Sequence, residues 1–589
     1  MPPSASLPPS RTLLQLLAEQ LHRRPDAIAL RSKRGAAWEA TTWRAWDEES
    51  RAFAAALIAR GIRAGERVAL ITRTRREALV ADLGVLLAGA VPVPIYPTLT
   101  PEQLAFIVRD AGARLVIVDD DEALARVPSV DVERLSLSGF AAWLQAGRAA
   151  LAADGDLVVA RARAVVPDDP AAIFYTSGTT GEPKGVVLSH ASFLFEVDAA
   201  FPLFGLTAHD EQLLFLPLAH IFAKVLVVAA MRIGAITALG TSMLTALDDC
   251  EEIRPTFFGS VPRLFEKVHE VALAKVREAG RAQEKIFSWA MDLGHDVHAR
   301  RRAGRPIPLT LELQHRYADK LVFEKVRARF GGRLRFAISG AAPIDRALCE
   351  WFSAAGVLVL EGYGLTETTA ATNLNHPQAH RFGTVGRPIP GVEVRIGDDG
   401  EVLVRGPNVM RGYHGRPAET AEVLDAEGWF HTGDIGSIDD DGFLTITDRK
   451  KDLLVTAGGK NVAPQRLETM LLRSPLVARA VVLGDAHPYV VALLVPDADA
   501  LRVLPDDEFA LAGLDARALA RDPRVRARLQ RVVDEVNARL ASFETIKRFA
   551  VLERDLSADE GELTPTLKVR RRMVERNHRA TIERLYTRG

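Results

Sequence analysis

Short apolar runs alternate with longer amphipathic stretches over residues 12–165, and this alternation predicts the class of fold. Continuous apolar runs bounded by polar residues are typical of buried strands, whereas apolar residues spaced by three and four are typical of helices. On this basis we predict strands at Arg67–Ile71 and Arg114–Asp119, an extended segment interrupted by prolines at Val91–Ile95, and a helix at Glu77–Leu87. Strands that alternate with helices predict an α/β fold with mainly parallel strands.

The pattern changes twice further along the chain. Residues Glu266–Phe330 are charge-rich with helical spacing, and their charges predict a solvated face, before another strand at Leu334–Ser339. From Val392 onward, short strands are separated by turns such as Asp398–Gly400 and Asp439–Gly442. Asp-Gly turns between short apolar runs predict a β-rich subdomain.

A run of charged residues at Asp448–Asp452 ends this subdomain, and we place a domain boundary between residues 449 and 450. The C-terminal domain ends in a basic helical tail, Arg570–Arg588, whose apolar residues are Val574, Ile582 and Leu585. A solvated helix is the first interpretation of this tail. Peripheral attachment to anionic lipid is the alternative, since basic amphipathic helices lie on such surfaces.

Composition and charge exclude several classes of protein. A chain of 589 residues is too long for one hydrophobic core. Lys and Arg number 75 against 76 Asp and Glu, so a net charge of −1 gives no sign of a nucleic-acid partner. Two cysteines, Cys250 and Cys349, exclude a disulfide framework. With no secretory signal pattern at Met1 and no uninterrupted apolar span, we expect a soluble, cytoplasmic protein.

The segment from Tyr175 to His190 has the chemistry of a phosphate-binding loop, and it follows a predicted buried strand at Ala171–Phe174. Glycines bring backbone N–H groups close to an anion, hydroxyls add donors, and lysine adds a mobile positive charge. The residues that supply these groups are Thr176, Ser177, Gly178, Thr179, Thr180, Gly181 and Lys184. A Walker A loop requires Ser or Thr after its lysine, but Gly185 follows here, so that interpretation fails. A Gly/Ser-rich surface turn is the alternative.

The loop resembles the signature of AMP-forming adenylating enzymes, the superfamily of acyl-CoA synthetases, luciferases and peptide-synthetase adenylation domains. Further segments match in order, so the resemblance covers nearly the whole chain. It is closest to long-chain fatty acyl-CoA synthetases at Leu216–Phe222, Ser260–Lys267 and Gly458–Pro464. The resemblance implies an AMP- and acyl-binding domain over residues 1–449 and a mobile α+β lid over residues 450–589. It also implies ATP, Mg²⁺ and CoA as cofactors and co-substrates.

The segment Glu361–Thr368 follows an apolar run, Val357–Leu360, that reads as a strand. Its glycines allow the flat ring of Tyr363 to approach a planar base, Thr366 offers a hydroxyl to phosphate, and Glu367 offers a hard oxygen to Mg²⁺. A Gly-kinked turn with capping residues is the alternative interpretation.

The resemblance gives these residues roles in a nucleotide site. Tyr363 is implied to stack on adenine, Thr366 to meet the α-phosphate, and Glu367 with Thr179 to hold the metal. The other residues that the resemblance places around the nucleotide are Gly340, Ala341, Ala342, Glu361, Gly362 and Gly364.

Two further matches concern the ribose and the reacting oxygens. Asp434 ends the turn Trp429–Asp434, and by resemblance it accepts both ribose hydroxyls while Arg449 adds a second contact. In acyl adenylation a carboxylate attacks the α-phosphate and pyrophosphate leaves, so a positioned lysine offsets the approach of two anions. The resemblance assigns this role to Lys568, within Gly561–Lys568. A plain turn and a surface lysine are the alternatives.

The remaining matches concern transfer to a thiol. By resemblance, Gly458 and Gly459 permit close approach of the pantetheine arm, and the C-terminal domain rotates about Lys451 between the two half-reactions. His220 either separates the acyl site from the thiol tunnel or is a hydrogen-bonded core histidine. Some long-chain enzymes carry a tryptophan gate just after this histidine. Here Ile221–Ala223 follow, so chain length is not carried over.

We therefore expect a ligase that activates a medium- to long-chain fatty acid as acyl-AMP and transfers it to CoA, releasing AMP and pyrophosphate. Its expected partners are fatty acid, ATP and CoA, with peripheral association at the inner membrane face as a further expectation. A ligase that loads an acyl-carrier protein is the closest alternative. A non-catalytic acyl- or nucleotide-binding protein would predict loss of Lys568, Glu367 or Asp434, and all three are present.

Overall fold

A computed structural model of the chain describes residues 11–127, 132–176, 182–457, 460–502, 514–564 and 568–587. The chain divides into two compact units. The larger comprises Met1–Arg395, Leu403–His431 and Asp439–Leu444, and the smaller comprises Ile396–Val402, Thr432–Ile438 and Thr445–Gly589. A single domain boundary between residues 449 and 450 stays a prediction.

The α-helices of the described residues are α1 (Leu13–Arg23), α2 (Trp43–Ala59), α3 (Arg76–Leu87), α4 (Pro101–Asp110), α5 (Asp121–Arg126), α6 (Phe140–Ala153), α7 (Leu157–Ala164), α8 (His190–Ala200), α9 (Ile221–Ile233), α10 (Ala246–Ile253), α11 (Pro262–Glu278), α12 (Arg281–Arg302), α13 (Leu309–Ala318), α14 (Glu324–Ala328), α15 (Arg346–Ala354), α16 (Pro417–Ala421), α17 (Pro464–Leu471), α18 (Ala498–Arg502), α19 (Ala516–Arg521), α20 (Pro523–Asn537), α21 (Arg571–Asn577) and α22 (Arg579–Tyr586). Short 3₁₀ turns lie at Leu137–Gly139, Phe201–Phe204 and Thr366–Thr368, and a π turn lies at Asp319–Phe323.

The strands of the described residues are β1 (Ile28–Arg34), β2 (Ala37–Thr42), β3 (Arg67–Ile71), β4 (Val91–Pro94), β5 (Ala113–Val118), β6 (Glu133–Ser136), β7 (Pro170–Thr176), β8 (Lys184–Ser189), β9 (Glu211–Leu214), β10 (Ile236–Leu239), β11 (Phe257–Ser260), β12 (Phe336–Ser339), β13 (Val359–Tyr363), β14 (Asn373–Leu374), β15 (Arg387–Pro388), β16 (Glu393–Ile396), β17 (Glu401–Arg405), β18 (Gly412–Tyr413), β19 (Phe430–Ile438), β20 (Leu444–Arg449), β21 (Leu454–Val455), β22 (Asn461–Val462), β23 (Val477–Leu483), β24 (Val490–Pro496) and β25 (Ile546–Val551).

The larger unit is built around a nine-stranded sheet in the order β15-β14-β13-β12-β11-β9-β10-β1-β2. Its central strands pair in parallel, and antiparallel pairs occur toward the two edges, at β1–β2 and β13–β14–β15. A second, parallel sheet has the order β4-β3-β5-β6. The predicted α/β class with mainly parallel strands is confirmed. The strand predicted at Arg67–Ile71 is β3, an almost wholly buried strand of the kind that forms a continuous apolar run.

Two further sheets are built from short segments of the chain. β18, β8 and β7 form one antiparallel sheet, in which Tyr413 pairs with Val186 and Val186 with Phe174. The order β16-β17-β19-β20 defines the other, which contributes residues to both units. The β-rich character predicted after Val392 is therefore present, because these short strands follow one another between turns.

The predicted helical stretch forms helices α11 to α14 of the larger unit. The inner face of α12 is buried, with Met291, Leu293 and Val297 nearly inaccessible. At Gly294 a Cβ would lie 2.5 Å from the Ala354 carbonyl oxygen, so α12 and α15 pack closely there. In the part of the chain that is described, no helix combines the length and the apolar character needed to cross a bilayer.

The smaller unit has a three-stranded sheet, β23-β24-β25, with a hydrophobic cluster on each face. The basic C-terminal tail forms α21 and α22, which meet at His578, rather than one continuous helix. Its apolar residues Val574 and Ile582 are buried against this sheet, at 0% and 4% exposure. The tail therefore has only its polar side exposed, and its apolar side is not available to a lipid surface.

Candidate functional site

The predicted phosphate-binding loop joins the two strands of an antiparallel hairpin. Strands β7 and β8 pair so that Thr176 lies opposite Lys184 and Tyr175 opposite Gly185. Ala171–Phe174 are buried, as a strand beneath such a loop requires. Ser177, Gly178, Thr179, Thr180 and Gly181 lie outside the described residues. The structure therefore describes the two flanks of the loop, Thr176 and Lys184.

Lys184 is surrounded by groups from the segment 413–419. Its Nζ lies 2.7 Å from Glu419 Oε2 and 5.0 Å from the centre of the Tyr413 ring. The pKa of Glu419 is lowered, first by the hydrogen bond from Lys184 and further by one from Arg416. Strand β18 brings these residues here because it pairs with β8, the strand that Lys184 begins. A cation held by a carboxylate and an aromatic face is charged and positioned at the edge of the loop.

The other flank of the loop is held by the same segment of the chain. The Tyr175 hydroxyl donates to Asp110 Oδ2 at 2.7 Å, and Arg416 Nη2 lies 3.2 Å from Asp110 Oδ1. Arg416 also pairs with Glu419 at 3.1 Å. The two flanks of the loop are thus connected through one hydrogen bond, from Tyr175, and a series of ion pairs.

The Glu361–Thr368 segment runs from the end of β13 into a 3₁₀ turn at Thr366–Thr368. The turn is followed by two non-glycine residues in the left-handed region, Thr369 at φ 52° and Ala370 at φ 84°. Each such residue costs on the order of 1–2 kcal/mol, so surrounding contacts must hold the segment in place. At Gly364 a Cβ would lie 1.6 Å from the Ala370 carbonyl oxygen, which requires glycine at this position.

Three elements supply the contacts that hold this segment. The Tyr413 hydroxyl donates to Glu367 Oε1 at 3.0 Å, and Asn408 Nδ2 donates to the carbonyl oxygen of Thr368 at 3.2 Å. From α8, Glu196 Oε1 accepts the Ala371 N–H at 3.1 Å. Burial raises the pKa of Glu196 well above its usual range, and the Ala371 N–H acts in the opposite direction. Tyr413 therefore contacts both Lys184 and Glu367, linking the phosphate loop to the predicted metal ligand.

Neighbouring strand ends carry the other residues predicted around the base. Glu361 is buried on β13, and its burial raises the pKa to about 8 even though Oε1 accepts the Ile344 N–H at 3.4 Å. Gly340 follows β12, and its N–H donates to the Ser260 carbonyl oxygen at 3.1 Å. Ala341 is left-handed at φ 68°. The parallel pairing of β12 with β13 places Gly340–Ala342 and Gly362–Tyr363 at the same edge of the sheet.

His220 caps helix α9, with its Nδ1 accepting the Phe222 N–H at 3.2 Å. The side chain is half-buried, so it is not a fully enclosed core histidine. Phe222 follows, and its ring lies against two strand ends: a Cβ at Gly259 would be 2.6 Å from the ring, and one at Gly340 3.7 Å. An aromatic ring therefore lies beside the predicted base-lining segment, although the tryptophan of some long-chain enzymes is absent.

In the smaller unit, Asp434 is buried at 4% exposure, and Arg449 Nε lies 3.1 Å from its Oδ1. The turn before Asp434 is fixed by hydrogen bonds. Thr432 Oγ1 accepts the Asp434 N–H at 3.0 Å and donates to the Val402 carbonyl oxygen at 2.7 Å. Strands β19 and β20 carry the two charged residues side by side.

Lys568 belongs to the same unit. Its surface is exposed, yet crowding by neighbouring protein atoms lowers its pKa to about 8; the Arg449 cation lowers it further, and Asp434 acts in the opposite direction. A lysine with a pKa near neutrality and two charged neighbours is a candidate catalytic group. The Lys568 N–H donates to Thr564 Oγ1 at 3.0 Å, and its carbonyl oxygen accepts the Thr564 N–H at 2.8 Å.

A buried carboxylate, Glu562, anchors the segment that leads to Lys568. It accepts hydrogen bonds from Arg554, from the Ser557 N–H at 2.9 Å and from His578 at 3.0 Å. Burial alone would raise the pKa of Glu562, but these donors lower it to about 2. The carboxylate is therefore ionised at any physiological pH, and its ion pair with Arg554 holds the chain at Glu562.

The predicted thiol-transfer residues are described only in part. Lys451 is exposed in a turn, where the Arg449 carbonyl oxygen accepts the N–H groups of Asp452 at 2.9 Å and Leu453 at 3.0 Å. Gly458 and Gly459 lie outside the described residues.

Several residues of this arrangement were not singled out in the sequence. Tyr413, Arg416 and Glu419 follow short strands of the β-rich region, and they approach the phosphate loop only through pairing of β18 with β8. The spacing Gly-Tyr-x-x-Arg-x-x-Glu at Gly412–Glu419 carries aromatic and charged groups after a strand, which is the one signal that was available.

The residues present fit a magnesium ion that is shared with phosphates. Among the described residues no cluster of three or more His, Cys, Asp or Glu side chains forms a metal cage. Mg²⁺ is usually bound through one or two carboxylates, with substrate phosphates and waters completing its shell. One carboxylate at Glu367, next to a phosphate loop, is a donor set of that kind.

Comparison with known proteins adds family relationships to this geometry. The model of the AMP-binding enzyme family matches residues 17–414, and that of the AMP-binding enzyme C-terminal domain matches residues 451–589. The long-chain-fatty-acid–CoA ligase FadD15 of Mycobacterium tuberculosis is 37% identical over 572 residues, which cover 95% of each chain. The long-chain-fatty-acid–CoA ligase ACSBG2 of Rattus norvegicus is 30% identical over 629 residues, covering 98% of this chain and 93% of that one.

Solved structures show the same fold. The adenylation domain of a carboxylate reductase from Mycobacterium chelonae superimposes with a TM-score of 0.74 at 24% identity, covering 98% of this chain and 92% of that domain. ATP-bound MatB from Rhodopseudomonas palustris superimposes with a TM-score of 0.70 at 24% identity, covering 97% of this chain and all of MatB.

Proposed function

This chain belongs to the AMP-binding enzyme family, and we propose that it is an ATP-dependent, AMP-forming ligase that joins a medium- to long-chain fatty acid to CoA. Relatives that match nearly the whole chain are named long-chain-fatty-acid–CoA ligases. The observation that carries the proposal is the placement of Lys568, with its lowered pKa, beside the pair Asp434–Arg449 in one unit. An inactive binding protein would have no need of a lysine in that electrostatic setting.

The first half-reaction forms acyl-AMP. A carboxylate oxygen of the fatty acid attacks the α-phosphorus of ATP, and the bond from that phosphorus to the bridging oxygen of pyrophosphate breaks. Negative charge collects on the phosphoryl oxygens during this step. Lys568 in its charged form stabilises the reacting oxygens, and Thr366 supplies a hydroxyl to the α-phosphate. Mg²⁺, held by Glu367 and Thr179, would neutralise phosphate charge when it is bound.

Under this proposal the residues singled out in the sequence hold the nucleotide. Asp434 accepts the ribose hydroxyls, with Arg449 as the second contact, and Tyr363 stacks on adenine. The remaining surroundings of the base and the phosphates are assigned to Gly340, Ala341, Ala342, Glu361, Gly362, Gly364, Thr176, Ser177, Gly178, Thr180, Gly181 and Lys184. Lys184 exchanges its contact with Glu419 for one with the departing phosphates.

The second half-reaction transfers the acyl group to sulfur. The CoA thiol loses its proton and attacks the acyl-AMP carbonyl carbon, the bond to AMP breaks, and acyl-CoA and AMP are released. Gly458 and Gly459 leave room for the pantetheine arm, and His220 separates the acyl site from the thiol path. Rotation about Lys451 exchanges the two active faces of the domain over residues 450–589.

The experiment that tests the proposal is a product assay by mass spectrometry, with purified protein, Mg·ATP, CoA and a ladder of fatty acids. We expect acyl-CoA, with a maximum at one medium or long chain length. Pyrophosphate with accumulated acyl-AMP and no acyl-CoA would overturn the CoA assignment in favour of a carrier-protein acceptor. No pyrophosphate with any acid would overturn the ligase assignment altogether. The cytoplasmic location of the protein is part of the same proposal.

A further inference from the structure

The outer face of the hairpin formed by α12 and α13 carries a cluster of exposed apolar side chains. On α13, Leu309, Leu313 and Tyr317 recur every four residues and therefore share one face of the helix. They are 72%, 57% and 63% exposed. On α12, Trp289 lies 6.4 Å from the Tyr317 ring, and Ile286 is one turn away, with 38% and 39% exposure. We call these five residues the hairpin face.

This clustering is specific to the hairpin. Eleven large apolar or aromatic side chains are strongly exposed in the described part of the chain, and five of them form the hairpin face. The opposite side of α12 is buried in the larger unit, so the hairpin is firmly anchored, while its outer face is not covered by any described residue. Isolated exposed apolar residues need no explanation, but a contiguous group on one surface marks an interaction site.

Arginines are frequent in the sequence around the exposed α13 stripe. Residues 300–317 contain Arg300, Arg301, Arg302, Arg305 and Arg316 against one acidic residue, Glu312. Arg300 pairs with Asp296 at 2.9 Å, and Arg316 with Glu312 at 3.2 Å. Arg301 and Arg305 are exposed and have no ion-pair partner among the described residues. The pKa of His298 is lowered to about 4, first by burial and then by Arg301, His315 and Arg302, which reports the positive potential of this region.

The chemistry of the hairpin face selects its partner. Tryptophan and tyrosine rings have an apolar body and a polar tip, which suits the boundary between lipid headgroups and acyl chains. Leucines beside them insert into that boundary, and arginines at the rim bind anionic headgroups. A second copy of this chain is a poor fit, because a face-to-face contact would bring the arginine clusters together.

We propose that the hairpin face docks this protein on the surface of a bilayer that contains anionic lipid. The purpose of the contact rests on the proposed function, since a fatty acid substrate partitions into bilayers. The contact itself does not depend on catalysis. The C-terminal tail, the surface considered from sequence, does not supply this contact, because Val574 and Ile582 are buried in the smaller unit.

The test is co-sedimentation of the full-length protein with vesicles of phosphatidylcholine, with and without phosphatidylglycerol. We expect binding that requires phosphatidylglycerol and weakens with salt. The variant Leu309→Ser/Leu313→Ser/Tyr317→Ser should reduce the partition coefficient by about tenfold or more. Arg301→Gln/Arg305→Gln should reduce it by several-fold, and only on anionic vesicles.

Two matched controls locate the effect. Leu244 is the most exposed of the eleven side chains, at 96%, and it lies outside the hairpin. Leu244→Ser should therefore leave vesicle binding unchanged. Arg572→Gln/Arg576→Gln removes exposed charge from the tail and should also leave binding unchanged.

Three results would overturn the proposal. The first is no binding of the unaltered protein to anionic vesicles, and the second is full binding of the triple serine variant. The third is a triple serine variant that still binds lipid but has lost self-association, as measured by light scattering. Acyl-CoA formation from a water-soluble, medium-chain acid without vesicles should be the same in the triple variant. Absence of that activity in the unaltered protein would count against the proposed function and not against docking.

Discussion

Lys184 in the larger unit and Lys568 in the smaller unit are the two lysines assigned to phosphate chemistry, and their surroundings are opposite. Lys184 is 2.7 Å from Glu419 and lies over the Tyr413 ring, so both neighbours stabilise its charge. At Lys568 the pKa is lowered to about 8, first by the surrounding protein atoms, which disfavour the charged form, and then by the Arg449 cation. One cation is stabilised in the resting protein and the other is destabilised.

This difference matters for what each lysine gains when an anion arrives. An anion that binds Lys184 must displace the Glu419 carboxylate, so the new ion pair largely replaces the ion pair that Lys184 already has. An anion near Lys568 instead stabilises a cation that desolvation and Arg449 both disfavour, so the gain in electrostatic energy is larger. A group that gains most as negative charge develops is suited to transition-state stabilisation, whereas a neutralised group is suited to reversible binding.

Removal of the Lys568 ammonium is the strongest test of this contrast. Lys568→Ala should slow acyl-AMP formation by about 10²–10³-fold, because the developing charge loses its stabilising cation. Single-turnover pyrophosphate release measures this step. Thioester formation from supplied acyl-AMP should remain largely intact, as should both steps in Lys547→Ala, which removes an exposed lysine from β25. Equal loss of both half-reactions would remove Lys568 from its assigned role.

Restriction of the predicted hinge should give the reverse pattern. Lys451→Pro fixes φ near −65° in the turn after Arg449, and thioester formation from supplied acyl-AMP should fall by about 10²-fold while adenylation persists. Lys451→Ala is the matched control, because it removes the side chain and leaves the backbone free. Normal thioester formation in the proline variant would show that the pivot lies elsewhere.

A third test concerns how the larger unit positions Glu367. Gly364→Ala would place a Cβ 1.6 Å from the Ala370 carbonyl oxygen, so the backbone of the strained segment must move. We expect the KM for ATP to rise by about tenfold, with the free energy of unfolding lower by about 1–3 kcal/mol. At Gly362 the added Cβ would lie 2.6 Å from Leu374 Cδ2, the end of a side chain that can move aside. Gly362→Ala should therefore raise the KM for ATP and lower the free energy of unfolding by less than Gly364→Ala does. Equal KM values for the two variants would contradict this account.

Some parts of this architecture could be predicted from sequence for a physical reason. Buried parallel strands require continuous apolar runs, so β3 was predicted with its bounds, and β5 within one residue at each end. The family of the chain followed from motifs whose residues are adjacent along the sequence, such as the loop before Lys184.

Other parts depend on tertiary contacts that no local pattern encodes. The partners of Lys184, Tyr413 and Glu419, lie more than two hundred residues away in sequence, and Tyr413 lies 46 residues from Glu367. Pairing of β18 with β8 brings them to these sites. The same limit applies to apolar residues on helices. Val574 and Ile582, like Leu309 and Leu313, lie on short helices that also carry charged residues, yet one pair is buried and the other exposed.

The smallest expected effect, a shift along the pH axis, tests the contrast between the lysines most directly. Lys568 is charged below its pKa of about 8, so kcat/KM for adenylation should fall as pH rises through that value. Arg449→Gln removes a neighbouring cation that lowers the pKa of Lys568, so the fall in kcat/KM should move to higher pH. The variant also loses a ribose contact, which changes the absolute rate but not the direction of this shift. Thioester formation from supplied acyl-AMP should not show this fall with rising pH, either in the unaltered protein or in Arg449→Gln. If the fall in kcat/KM for adenylation occurs at the same pH in Arg449→Gln, the pH profile reports the titration of a group other than Lys568.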